Sequence, residues 1–278
     1  MKVIEPHIHM IARTTQDYER MARMHTIACC EPAFWAGYDR TSAQAFYDYF
    51  THITTFEPTR AAKYLIQHYC WICINPKEAN DLILSREVIS FIPEFLDKPT
   101  VLGIGEIGLN LNTSNEMTIF EEQVELALKL DQLIWIHTPH MKDKFKGTKM
   151  MLDYLTGHGG VDPERVTFDH CEEHTIRMLR DAGFWVAMTI YPTTKNSPAR
   201  VVDALEVYGI DHILVDASGD WGPSDPATLH DAIFEMRHRG HSDAHITTVF
   251  YNNPCFFLGQ CPKFKPRPEN SRAEAWPV

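Results

Sequence analysis

Short apolar runs alternate along the chain with longer stretches in which apolar residues recur every three or four positions. The runs predict strands over 2–10, 26–31, 69–76, 101–109, 133–137, 165–170, 184–190 and 212–216. Between them the spacing predicts helices over 41–53, 60–68, 77–95, 117–130, 148–156, 175–181, 198–208 and 229–239, the last being the final regular helix. In 117–130, Phe120, Val124, Ala127 and Leu128 share one helical face. Residues 14–25 are polar and read as helix or loop. The segment 31–41, with Phe34, Trp35 and Tyr38, reads as an aromatic loop suited to a substrate wall, a barrel cap or a dimer contact.

Eight strands alternating with helices predict the α/β class and a single closed (β/α)8 barrel over residues 1–261. An open doubly wound sheet would carry a glycine-rich phosphate loop after its first strand, and none follows here. Residues 262–278, with four prolines, read as a short extended or disordered tail. The chain has 278 residues, long enough for one such barrel, and a soluble composition with 44% hydrophobic residues. A net charge of −11 disfavours nonspecific grip on DNA or an anionic membrane. Seven cysteines, an odd number, with no secretory signal or long apolar run, point to a reducing cytoplasmic compartment. Cys70 and Cys73 match C-x-x-C, but in a strand they face opposite sides, so they read as buried core thiols.

Candidate chemistry gathers at the strand ends. His7 and His9 stand at i and i+2, so on a strand both imidazoles project to one face, with Ile8 to the other. Later runs end in or near Glu106, His137, His170 and Asp216. Parallel barrel strands all finish at one face, so these six residues converge there. Imidazoles and carboxylates bind one or two divalent ions, Zn, Mn or Mg, that activate water for hydrolysis. Glu106, flanked by small residues in Gly-Ile-Gly-Glu-Ile-Gly, has two oxygens with which to bridge two ions. Asp216 ends an apolar run and is the expected proton acceptor for the attacking water. His140, Trp35 and Trp221 are candidate substrate contacts. Glu172 reads as a helix cap, and Lys142, Lys144, Lys146 and Lys149 as a solvated charged face.

His7-Ile8-His9, Gly105-Glu106-Ile107-Gly108-Leu109, Phe120-x-x-Gln123, Trp135-Ile136-His137, Asp169-His170-Cys171 and Val215-Asp216 resemble the TatD family of metal-dependent hydrolases, in the amidohydrolase superfamily. The resemblance runs from residue 3 to about 259. It implies a TIM barrel in which His7 and His9 hold one ion, His137 and His170 the other, Glu106 bridges, and Asp216 completes the first site. Well-known members are magnesium- or zinc-dependent deoxyribonucleases. Here Asn110 stands where the family has aspartate, and Glu5-Pro6 precedes the histidine pair. Three readings stay open: a hydrolase of a small-molecule phosphoester, lactone or amide, a TatD-type deoxyribonuclease, and a non-catalytic barrel serving as a binding subunit.

Overall fold

The computed structural model describes residues 1–139 and 142–266. Their eight strands form one parallel sheet in sequence order: β1 Val3–Glu5, β2 Thr26–Pro32, β3 Gln67–Ile72, β4 Val101–Gly108, β5 Leu133–His137, β6 Val166–Asp169, β7 Trp185–Thr189 and β8 Ile213–Asp216. Helices α1 Thr15–Arg23, α2 Ala43–Ala62, α3 Leu82–Leu96, α4 Ser114–Lys129, α5 Lys144–Gly157, α6 Glu173–Asp181, α7 Pro198–Tyr208 and α8 Thr228–His238 surround it. This is the expected TIM barrel. Its first and last strands meet just past their ends, where Ser218 N donates to His7 O at 2.8 Å and His9 N to Gly219 O at 2.8 Å. The seam of the barrel is thus closed by the segment that carries the histidine pair.

Two hydrophobic layers follow from strand alternation. Inside the barrel, Trp71, Trp135 and Trp185 pack with Ile4, Leu102 and Leu214. Outside, Ile72, Ile104, Ile107, Ile136, Val186 and Val215 meet the helices. Gly105 makes the tryptophan packing possible: a Cβ there would stand 2.5 Å from Trp135 Cβ. The register with β5 shifts between Gly105 and Ile107, which turns Glu106 into the mouth of the barrel.

Several elements differ from the sequence pattern. β1 ends at Glu5, before both histidines. The predicted helices 41–53 and 60–68 are one helix, α2, which runs through Pro58 because Phe46, Phe50, Ile53 and Ala61 hold both halves on the barrel. It stops before Leu65, whose φ of 63° breaks the helix, and Gln67 and His68 join β3. The helix over 229–239 is not the last. α9 Asp243–Thr247, a π-helical turn Thr248–Asn252 and α10 Asn253–Leu258 follow. α10 inserts Phe257 among Trp71, Trp135 and Trp185 and closes the floor. Of the segment expected as tail, 262–266 returns to the barrel, with Phe264 buried against Tyr69; the remainder, 267–278, lies outside the described residues.

Cys70 and Cys73 are both buried and free, but they do not oppose each other as strand neighbours would. The strand ends at Ile72, and Cys73 Sγ turns to the carbonyl of Glu106 at 3.2 Å. Among the described residues, no helix is long and apolar enough to cross a membrane.

Candidate metal centre

The structure brings the strand-end residues together at the C-terminal mouth of the barrel. His7 and His9 leave β1 in an extended segment, and their Nε2 atoms approach to 3.0 Å. The i, i+2 geometry therefore survives without strand pairing, and Ile8 points into a separate cluster with Met10, Tyr18 and Met21. His9 stacks on Phe34 at 3.8 Å between ring centroids. Glu5 Oε1 accepts from the backbone N–H of His7 at 3.1 Å and of Ala217 at 3.2 Å, tying the first strand to the eighth.

On the other side, one oxygen of Glu106 lies 2.7 Å from His137 Nδ1 and 2.9 Å from His170 Nε2. Its second oxygen accepts from Asn75 Nδ2 at 3.1 Å. His170 stands in the left-handed region at φ 59°, a strained position for a side chain of its size. That turn swings its ring off the end of β6, where Nδ1 meets Thr189 Oγ1 at 2.6 Å.

Asp169, immediately before His170, joins the two halves. It accepts from His7 Nδ1, from Trp135 Nε1 at 3.0 Å and from Thr189 Oγ1 at 3.1 Å. Ligand-type atoms of His7, Glu106, Asp169 and His170 all lie within 4.8 Å of one another. Sequence reasoning gave Asp169 no role. The signal was present, because Val-Thr-Phe-Asp is an apolar strand ending in an acid, as Ile-Leu-Val-Asp is at Asp216.

Burial shapes the electrostatics. It pushes the pKa of His9 well down, helped by the neighbouring His7, and pushes His170 down too. Both imidazoles are thereby kept in the neutral, metal-binding form. Burial opposes the charge on Glu106, but His137 and His170 outweigh it and hold that carboxyl well below its ordinary value. Asp169 is likewise held low against burial by His170 and His7. Asp216 is driven the other way, by burial and then by the charges of Asp169 and Glu5. Among the described residues, neither of its oxygens has a close hydrogen bond, although the side chain is fully buried, and Thr189 and Asp169 are its nearest polar groups.

A carboxylate in that position costs several kcal/mol unless a cation faces it. His7, Glu106, Asp169 and His170 gathered together, with His9 against His7 and His137 against Glu106, form a donor set that fits divalent ions.

Above the centre lies a cleft of about 200 Å³, lined by Phe34, Trp35, Trp221, Tyr191, Lys77 and Lys195 besides the strand-end groups. Trp35 and Trp221 form one wall, with ring centroids 5.7 Å apart. His140 lies outside the described residues. Glu172 caps α6 as expected, Lys144 pairs with it at 2.9 Å, and Lys149 pairs with Asp153.

A model of the TatD-related DNases matches residues 14–221, three quarters of the chain. The chain belongs to that family. The match includes Glu106, His137, His170 and Asp216 and begins after the histidine pair. An uncharacterized metal-dependent hydrolase of Methanocaldococcus jannaschii is 26% identical over 259 residues, covering 90% of this chain and 97% of its own. Among solved structures, a TatD-like protein from Archaeoglobus fulgidus superposes with a TM-score of 0.73 at 20% identity, over 92% of this chain and 99% of that one. A mutant organophosphorus hydrolase from Deinococcus radiodurans reaches 0.61 at 14% identity, over 92% and 93%. Both superpositions establish the same barrel fold. The TatD-family member described here is a metal-dependent hydrolase, which leaves the non-catalytic barrel without support.

Proposed function

We propose that this TatD-family hydrolase cleaves a phosphoester, lactone or amide bond of a small molecule. One or two divalent ions, Zn, Mn or Mg, would be held by His7, His9, Glu106, His137, His170 and Asp216. An ion bound by such a set lowers the pKa of coordinated water from 15.7 to about 7 and offsets charge developing on the substrate. His7 and His9 would offer their Nε2 atoms to one position, and His137, through Nδ1, and His170, through Nε2, would offer theirs to another beside Glu106. One Glu106 oxygen lies between His137 and His170, and this carboxylate would be the bridging ligand. Asp169 holds His7 by its Nδ1 proton, which fixes the bare Nε2 toward the site. Asp216 would be both a ligand to the ion and the group that takes a proton from water at the site.

The single observation that carries this reading is Asp216, a fully buried carboxyl at the end of β8 with no close hydrogen bond to either oxygen and only Thr189 and Asp169 as polar neighbours. The small cleft, below the roughly 300 Å³ at which pockets for drug-sized ligands begin, favours a small substrate. The second reading, a deoxyribonuclease, is favoured by the family's description and by the two lysines of the cleft.

The test is metal content per chain together with a panel of aryl phosphates, lactones, amides and single-stranded DNA. Protein purified without chelator should carry one or two equivalents of metal, lost in His7→Ala combined with His9→Ala. Asp216→Asn should abolish turnover with little change in the melting temperature of the metal-free protein, since burial already favours the neutral acid there and the amide matches its shape. Undiminished turnover in that variant would remove Asp216 as the base. Turnover of DNA alone would replace the small-molecule reading with the nuclease.

A further inference from the structure

The cleft holds a charged group that the reaction above does not use. Lys195, in the loop between β7 and α7, lines it together with His9, Glu106, His137 and His170. Its ammonium nitrogen has Ser218 Oγ at 3.4 Å, the outer limit of a hydrogen bond, and the Tyr191 ring at 5.2 Å. Lys144 and Lys149 have carboxylates at 2.9 and 2.6 Å; among the described residues, no ion pair takes up Lys195. Burial pushes its pKa down, and Asp169, Glu106 and Asp216 oppose that through space. Those acids belong to the metal centre, so bound divalent ions would offset the negative charge that Lys195 faces. The ammonium would then stand beside a cationic site with no counter-charge.

The loop is built to keep it there. Asn196 donates from its side chain to Cys171 O at 3.0 Å and to Thr189 O at 3.3 Å, and Tyr191 N donates to Asn196 O at 3.1 Å. Arg200 Nη1 holds the carbonyl of Lys195 itself at 2.9 Å. A long cationic side chain is thus fixed by its backbone on both flanks and aimed at the centre. A second lysine, Lys77, sits 4.7 Å from the Trp35 ring in the same cleft. Two lysines here run against a chain charge of −11. The nearby acid Asp220 is already occupied, its Oδ1 accepting from Tyr191 OH at 2.8 Å and Gly222 N at 2.7 Å. Trp221, half exposed, tilted on Phe34 at 5.5 Å and edge-on to Trp35 at 5.7 Å, lines the same cleft.

We propose that Lys195 binds an anionic group of the substrate, a carboxylate or a phosphate, next to the scissile bond, with the body of the molecule against Trp221. This rests on the reading of the centre as metal-bound. The test is binding of phenyl phosphate, benzoate and phenol to the metal-loaded protein, read by tryptophan fluorescence and calorimetry, with metal content measured in parallel. At least one anion should bind about tenfold or more tighter than phenol, the scale of a charge-assisted hydrogen bond. Lys195→Met should lose that preference and keep its metal, while Lys195→Arg should keep both. Preference for phenyl phosphate assigns a phosphate group, and preference for benzoate a carboxylate. Metal uptake with equal binding of all three probes, or an undiminished preference in Lys195→Met, overturns the inference alone. Wild-type protein that takes up no metal overturns the proposed function and this inference with it.

Discussion

Asp169 and Asp216 each end an apolar strand, yet their surroundings are opposite. Asp169 accepts from His7, Trp135, Thr189 and the backbone of His170, and those neighbours keep it ionised. Asp216, with no close hydrogen bond among the described residues, is pushed toward its neutral acid. Under the proposed function the difference separates two jobs: Asp169 would orient a ligand, and Asp216 would face a cation or hold a proton. Asp169→Asn keeps the shape but puts an amide N–H where His7 or Trp135 already donates. Removing such an orienting partner should weaken metal binding by roughly 10–100-fold. A competition titration against a chelator measures this, and unchanged metal affinity would deny Asp169 its orienting role.

The elements contribute through where they end and what they cover. The brevity of β1 frees His7 and His9 from strand pairing, so the ring geometry is set by Glu5, Asp169 and the contacts to Ser218 and Gly219. At the opposite end, α10 places Phe257 against three tryptophans, which explains why the barrel needs a helix after α8. Phe257→Ala should cost about 3–5 kcal/mol in urea unfolding, as buried aromatic truncations do. Metal content should be unchanged, because the floor serves stability and the mouth serves chemistry. A loss below about 1 kcal/mol would show that the floor collapses around the cavity. The helical stretch from Asp243 to Leu258 escapes a periodicity reading for a physical reason. Val249 and Phe250 face the outer layer while Phe257 and Leu258 face the barrel interior, so no single apolar stripe runs along it.

At the scale of the whole molecule, a buried polar network braces the segment that carries His7 and His9 from behind. Glu31 accepts from Ile11 N at 2.9 Å and pairs with His68 at 2.8 Å, while Arg60 donates to Met10 O at 2.6 Å and pairs with Glu57. Burial lowers the pKa of His68 to about 4 and raises that of Glu31, so both favour their neutral forms. Unfolded, His68 takes a proton near pH 6.5; folded, it resists until about pH 4. The unfolded state therefore binds more protons across that window. Stability is full above pH 6.5 and falls as pH drops toward 4, by about 3 kcal/mol from this residue. Glu31, raised in the folded state, contributes the opposite slope, so the His68 contribution is read as the difference between wild type and His68→Gln in denaturant titrations at a series of pH values. A slope unaltered by the substitution would assign the acid sensitivity elsewhere.

The alternation of apolar runs and helical spacing determined the barrel, because period 2 and period 3.6 are local properties that a parallel fold must satisfy strand by strand. The order of ligand-type residues at the ends of those runs determined the mouth of the barrel as the place for chemistry, since parallel strands end together. Only the tertiary structure decided which acid orients and which stands free, as at Asp169 and Asp216, because a carboxylate's state depends on donors from other strands. It alone set α2 across Pro58, whose local signal favours a break but whose flanks are both held on the barrel. It alone brought Lys195, Tyr191 and Asn75 to the cleft, from loops with no period to betray them. Local pattern fixes what each segment can become; contacts between residues distant in sequence fix what each side chain faces.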